Sequence, residues 1–134
     1  MAKNRIRVIV YWTTTGLVAG EMALGGIWDI LRISFVSDAV IHLGYPSYFL
    51  IILGCWKILG AVALLIPRFP RLKEWAYAGA IFNYTGAIAS FLVVGDSFKE
   101  MVYPLIQICL VIISWALRPL SRREFISVNN KLRI

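Results

Sequence analysis

GYPSYFLIILGCWKILGAVALLIPRFPRLKEWAYAGAIFNYTGAIASFLVVGD, residues 44–96, consists of two apolar runs joined by a short basic connector, PRFPRLKE. At 1.5 Å of rise per residue, a helical run of about 20 residues spans the ~30 Å hydrocarbon core of a bilayer. Both runs reach that length, and each carries one polar residue near its middle, Lys57 and Asn83. The connector is too short for anything but a tight turn between antiparallel neighbours. This pattern predicts a membrane hairpin.

Composition extends the reading to the whole molecule. A chain of 134 residues makes one domain. Sixty per cent of it is hydrophobic, only 16% is charged, and the mean hydropathy is +0.76. So much apolar surface exceeds what one small domain hides from water, so lipid is the expected solvent. The net charge of +7 does not point to nucleic acid, because the basic residues lie between apolar runs rather than in a stripe on a polar domain.

Two further runs flank the hairpin. The expected spans are 8–28, 47–66, 75–94 and 101–117, followed by a basic tail, 118–134. The first run follows a basic start but lacks a small-residue cleavage site, and is read as a retained span rather than a signal peptide. Gly16 and Gly20 form a small-xxx-small step suited to helix contact. Residues 29–45 alternate apolar and polar side chains, predicting a short interfacial helix capped by Ser37 or Asp38 and ended near Gly44. Its His42, the single histidine, is read as an interfacial residue without chemistry. Ser97 and Glu100 have capping-box spacing, and Pro104 falls in or near the first turn of the last span. Cys55 and Cys109 are read as free thiols packed between helices, with a redox pair as the alternative. The fold class is therefore all-α, a bundle of four transmembrane helices with a short interfacial helix between the first two.

Lysine and arginine placement orients it. Lys3, Arg5 and Arg7 precede the first span; Arg68, Arg71 and Lys73 lie between the second and third; Arg118, Arg122, Arg123, Lys131 and Arg133 follow the fourth. The opposite side has Arg32 and Lys99. Both termini are expected in the cytoplasm, in a multi-pass protein of the inner membrane. Trp12, Trp75, Tyr77 and Trp115 would form the inner aromatic belt, and Trp28, Tyr45, Tyr48 and Tyr103 the outer one.

Charge at bilayer depth costs at least about 2.5–3.5 kcal/mol, so the polar residues inside the runs carry the functional question. From the outer ends of their runs, Glu21 lies about 10 Å deep, Lys57 about 15 Å, Asn83 about 16 Å and Gln107 about 9 Å. Small and polar neighbours share their helical faces: Thr14 and Gly25 with Glu21; Gly54, Gly60 and Ala61 with Lys57. Gly79, Gly86, Ala87 and Ser90 share the face of Asn83, and Ser114 that of Gln107. These four residues are the candidate substrate-binding cluster, with a Glu21–Lys57 ion pair geometrically allowed. Two readings stand. In one, the cluster neutralises itself and fixes packing; in the other, it lines a pocket for a polar headgroup or ring, such as a quinone, or relays a proton.

The segments LGYPSYFLIILGCWKILGAVALLIPRFPRLKEWAYAG, NYTGAIAS and VGD resemble the DoxX-like family of small four-helix membrane proteins. The resemblance implies a mostly bacterial, inner-membrane bundle. Characterised relatives include subunits of a thiosulfate:quinone oxidoreductase and, more distantly, an endoplasmic-reticulum chaperone for nicotinic receptors. Many members carry Asp where this chain has Asn83 and His where it has Phe91, which argues against chemistry by those positions here. The chain has no dinucleotide or P-loop motif, no haem-attachment pattern and no nucleophile–base pair. The expected function is an accessory subunit that binds a quinone or other lipophilic molecule. The alternative is a non-catalytic assembly factor contacting a membrane-protein partner or a second copy. A small exporter fits less well, since strong charge bias and a membrane lysine are foreign to that design.

Overall fold

The computed structural model describes residues 2–119, which form five α-helices and no strand among them. These are α1 (Ala2–Leu31), α2 (Ser34–His42), α3 (Phe49–Leu65), α4 (Pro70–Val94) and α5 (Phe98–Ala116). α1 packs against α3 and α5, and α4 packs against the same two, so the four long helices close a ring. The short α2 touches α1. Each expected run falls mainly on one long helix, and α2 is the short helix expected between the first two. The tail beyond residue 119 lies outside the described residues.

Helix ends depart from the apolar runs because hydrogen bonding continues into polar sequence. α1 extends through Lys3–Arg7 at one end and through Asp29 to Leu31 at the other. Asp29 is thereby helical and buried. α2 starts at Ser34 with Ile33 at the cap position, so neither Ser37 nor Asp38 caps it. Gly44 ends it with a positive φ of 89°, which glycine adopts without steric cost. α5 starts at Phe98, one turn before the expected span, which moves Pro104 into the helix interior. Proline has no N–H for the carbonyl four residues back, so Glu100 loses that partner. Ser97 holds the cap position but makes no side-chain cap bond, so the capping box does not form.

α4 and α5 are long and apolar enough to cross a membrane; α3 is apolar but shorter. In α1, Thr13, Thr14, Thr15 and Glu21 dilute the apolar run. The outward faces are hydrophobic, with Trp56, Trp75, Phe82 and Val93 exposed. Inside the ring, Val18 and Met22 of α1, Ala61 and Leu64 of α3, Ala80 of α4 and Val111 of α5 form the core, together with Tyr77 and Tyr84.

The closest helix seam is made by glycines other than those expected. Gly16 and Gly20 are exposed, and a Cβ on either would meet nothing within 4 Å. A Cβ on Gly54 would instead lie 2.5 Å from the Gly26 carbonyl oxygen, and one on Gly26 would lie 2.9 Å from that of Gly54. Gly26 lies at the end of the α1 run, where Gly25–Gly26 breaks the small-xxx-small spacing, so the pattern selected the wrong step. Cys55 and Cys109 are free but exposed on the outer faces, rather than packed between helices.

Each end of the ring is tied by side chains. At the α3–α4 connection Arg68 and Phe69 take positive φ of 68° and 55°. Lys73, 1% exposed, donates to the carbonyls of Ile66 and Arg68 and holds this turn from inside. Expected as one of the basic anchors of the connector, Lys73 serves as an internal cap, because the last carbonyls of α3 have no intrahelical donors. At the opposite end, His42 Nε2 lies 3.0 Å from both carboxylate oxygens of Asp96, and the Tyr45 and Ser90 hydroxyls are 2.7 Å apart. His42 thus ties the end of α2 to the α4–α5 connection.

Candidate functional site

Glu21 is the focus of the polar cluster at the α2 end of the ring. It projects from α1, and Tyr84 of α4 donates its hydroxyl hydrogen to Oε2. Tyr103 of α5 donates to Oε1 at 2.8 Å. One carboxylate therefore joins three helices through charge-assisted hydrogen bonds, the stronger kind. Gln107 follows Tyr103 by one turn of α5, which places both on one helical face, and its carboxamide interacts with the Tyr103 hydroxyl. Gln107 is 7% exposed, yet its Oε1 has no hydrogen-bond partner.

Beside this arrangement sits an ion pair. Lys57 Nζ lies 3.1 Å from Asp29 Oδ2, with side-chain exposures of 15% and 4%. The expected partner, Glu21, is not the residue Lys57 pairs with. The cause is local: α1 continues far enough to make Asp29 helical, and the Gly26–Gly54 seam brings the Lys57 Cβ region against α1. Glu21, Gly25 and Asp29 follow one another at intervals of four along α1, and thus lie close to one face. A Cβ on Gly25 would lie 3.3 Å from Glu21 Oε1 and 3.6 Å from Lys57 Nζ. The ammonium and both carboxylates therefore share one neighbourhood, two negative groups to one positive.

The four expected residues are not all brought together. Glu21, Lys57 and Gln107 lie within or beside the cluster. Asn83 is half-buried and makes no hydrogen bond among the described residues. Its neighbour Tyr84 takes the inward position, about 100° further round α4. Gly79 and Gly86, expected to turn inward with Asn83, are exposed and open. Three members were not foreseen. Tyr103 was expected in the outer belt, Tyr84 lay unremarked inside an apolar run, and Asp29 followed the end of one. The available signals were the four-residue spacing of Asp29 from Gly25 and Glu21, and a tyrosine at mid-helix, where no interface exists for its hydroxyl.

A second polar layer lies toward the α3–α4 end. Ser114 of α5 is 2.6 Å from the Thr15 hydroxyl and 2.8 Å from that of Tyr77. Tyr77, expected in the inner belt, is buried in this network. Below it, Glu74 accepts from Arg118 and from the Trp115 indole at 3.1 Å. Arg118 also lies over the rings of Tyr77 and Trp115. Val18, Met22, Ala80 and Val111 separate the two layers with apolar packing.

Chemically, the Glu21 cluster offers a carboxylate, two phenols, a carboxamide and a nearby ammonium, a set suited to recognising a polar ring. Among the described residues no group of His, Cys, Asp and Glu could hold a metal ion. Edge access is asymmetric: Tyr103 is exposed and Glu21 half-buried, whereas Tyr84, Asp29 and Gln107 are buried. The model of the DoxX-like family matches residues 13–114, which include every member of this cluster. No curated protein and no solved structure matches the chain.

Proposed function

The chain belongs to the DoxX-like family, and from that premise we propose that it is a four-span protein of the inner membrane that binds a lipophilic ring compound, a quinone or quinol, as an accessory subunit of a redox system. The spans are the four long helices, α2 lies on the outer surface, and both termini face the cytoplasm. The observation that carries the binding role is the Glu21 carboxylate, held by Tyr84 and Tyr103 and open at the Tyr103 edge. A polar site with one lipid-facing side suits a molecule with an apolar tail and a hydrogen-bonding head. The carboxamide offers a donor and an acceptor, and the phenol oxygens offer acceptors, for polar groups on a ring.

The test is extraction in mild detergent followed by identification of co-purified small molecules. The parent retains a quinone or quinol, and Glu21→Gln with Tyr103→Phe loses it while staying folded. A parent protein that carries none, and binds none when it is added, ends the proposal.

A second reading rests on a different face. Gly79 and Gly86 leave α4 open beside Asn83, whose carboxamide makes no bond within the described chain. Such a face suits a helix of another membrane protein, as an assembly factor would require. Stoichiometric co-purification of a membrane protein, lost in Gly79→Leu, would favour it.

A further inference from the structure

We infer that the Glu21 cluster selects a ligand that brings a hydroxyl donor, the reduced quinol form of a ring rather than its quinone. The inference rests on the binding role proposed above and deepens it.

The donors and acceptors already present decide the point. Both tyrosine hydroxyl hydrogens are spent on Glu21, one on each carboxylate oxygen. A hydroxyl has only one hydrogen to give, so neither phenol has another for a ligand. The Lys57 ammonium faces Asp29 at 3.1 Å and has the Glu21 side chain beside it across Gly25. The clearest unmet need is on the acceptor side. Gln107 Oε1 is buried, beside Tyr103, and has no donor. Leaving such an acceptor unsatisfied in a low-dielectric site costs more than the average hydrogen bond contributes, so a ligand that supplies the donor gains the difference.

Charge points the same way. Two carboxyl groups stand beside one ammonium, so acceptor oxygens crowd the site. A quinone offers carbonyl oxygens, which are acceptors and carry partial negative charge; they meet repulsion and find no free phenol hydrogen. A quinol offers two O–H groups. One can satisfy Gln107 Oε1, and the ring can enter over the exposed edge at Tyr103. The neutral carboxamide, not the carboxylate, is then the residue that distinguishes the two forms.

The experiment compares three probes under anaerobic conditions on the detergent-solubilised full chain: a short-chain benzoquinone, its quinol and the dimethyl ether of that quinol. The quinol is expected to bind about tenfold or more tightly than either of the others, the effect of one hydrogen bond to a buried acceptor. Gln107→Leu replaces the carboxamide by an apolar side chain and removes the unsatisfied oxygen. It should fold at least as well as the parent, bind the quinol about tenfold more weakly, and no longer prefer it over the ether. Equal or tighter binding of the quinone, or a preference that survives Gln107→Leu, overturns the inference and leaves the binding role standing. Binding of none of the three overturns both.

Discussion

Lys57 and Asp29 form the pair on which removal of one partner acts most severely. Their side chains are almost withdrawn from solvent, so neither charge is relieved by water when the other is lost. Breaking a buried pair from one side strands a charge, typically at about 3–5 kcal/mol, whereas replacing both partners by neutral groups of similar shape is often close to neutral. Lys57→Met should therefore lower stability by about 3–5 kcal/mol, and the double variant Lys57→Met with Asp29→Asn should recover most of it. Thermal unfolding in detergent of the two single variants and the double measures this coupling. A double variant no better than Lys57→Met would show that the ammonium is held by Glu21 after all, and Glu21→Gln in the same background would then give the recovery.

At the scale of elements, the glycine seam between α1 and α3 decides where Lys57 can reach. A Cβ on Gly54 would come within 2.5 Å of a backbone oxygen and 2.7 Å of the Ile30 side chain, so the helices must separate to admit it. Gly54→Ala should cost about 1–3 kcal/mol, the usual range for overpacking. Gly16→Ala meets open space and should leave stability unchanged or raise it by about 0.5–1 kcal/mol through helix propensity. Chemical unfolding of both variants is the check, and equal effects would refute the seam. The same contrast shows what a linear sequence conveys about elements. Four long helices were legible because apolar runs of span length leave no other structure, and the short α2 because its pattern changes between them. Contact faces were less legible: small residues line both Gly16–Gly20 and Gly26–Gly54, and only three-dimensional packing separates them. Glu21, Lys57 and Gln107 stood out as polar groups in apolar surroundings. Tyr84 and Tyr103 did not, since tyrosine is ordinary both in a core and at a membrane interface. Asp29 was hidden by its place just beyond the run, where a helix end was the natural reading.

For the whole molecule, the two ends of the ring differ in charge. The α3–α4 end collects Arg68, Arg71 and the capping Lys73, with the basic N-terminal turns of α1 and Arg118 of the α5 end beside it. At the other end, the connections around α2 and between α4 and α5 carry Arg32 and Lys99 against Asp38, Asp96 and Glu100. By the tendency of basic loops to stay inside, the orientation we propose puts the first end in the cytoplasm. In that orientation the polar cluster would lie toward the outer leaflet, with Val18, Met22, Ala80 and Val111 between it and the second polar layer, and the proposed ligand would enter from the outer half of the bilayer. Single cysteines test the direction. Cys55 and Cys109 are first replaced by alanine; both are free and on outer faces, so the change leaves the polar cluster intact. Asn4→Cys or Ser97→Cys is then introduced, neither of which alters the lysine and arginine balance. A membrane-impermeant maleimide applied to intact spheroplasts should label Ser97→Cys and spare Asn4→Cys until the membrane is opened. The reverse labelling would invert the orientation and put the cluster in the inner leaflet. Equal labelling of both before lysis would mean that these connections do not lie on opposite sides, and the reading of the four long helices as spans would fall with it.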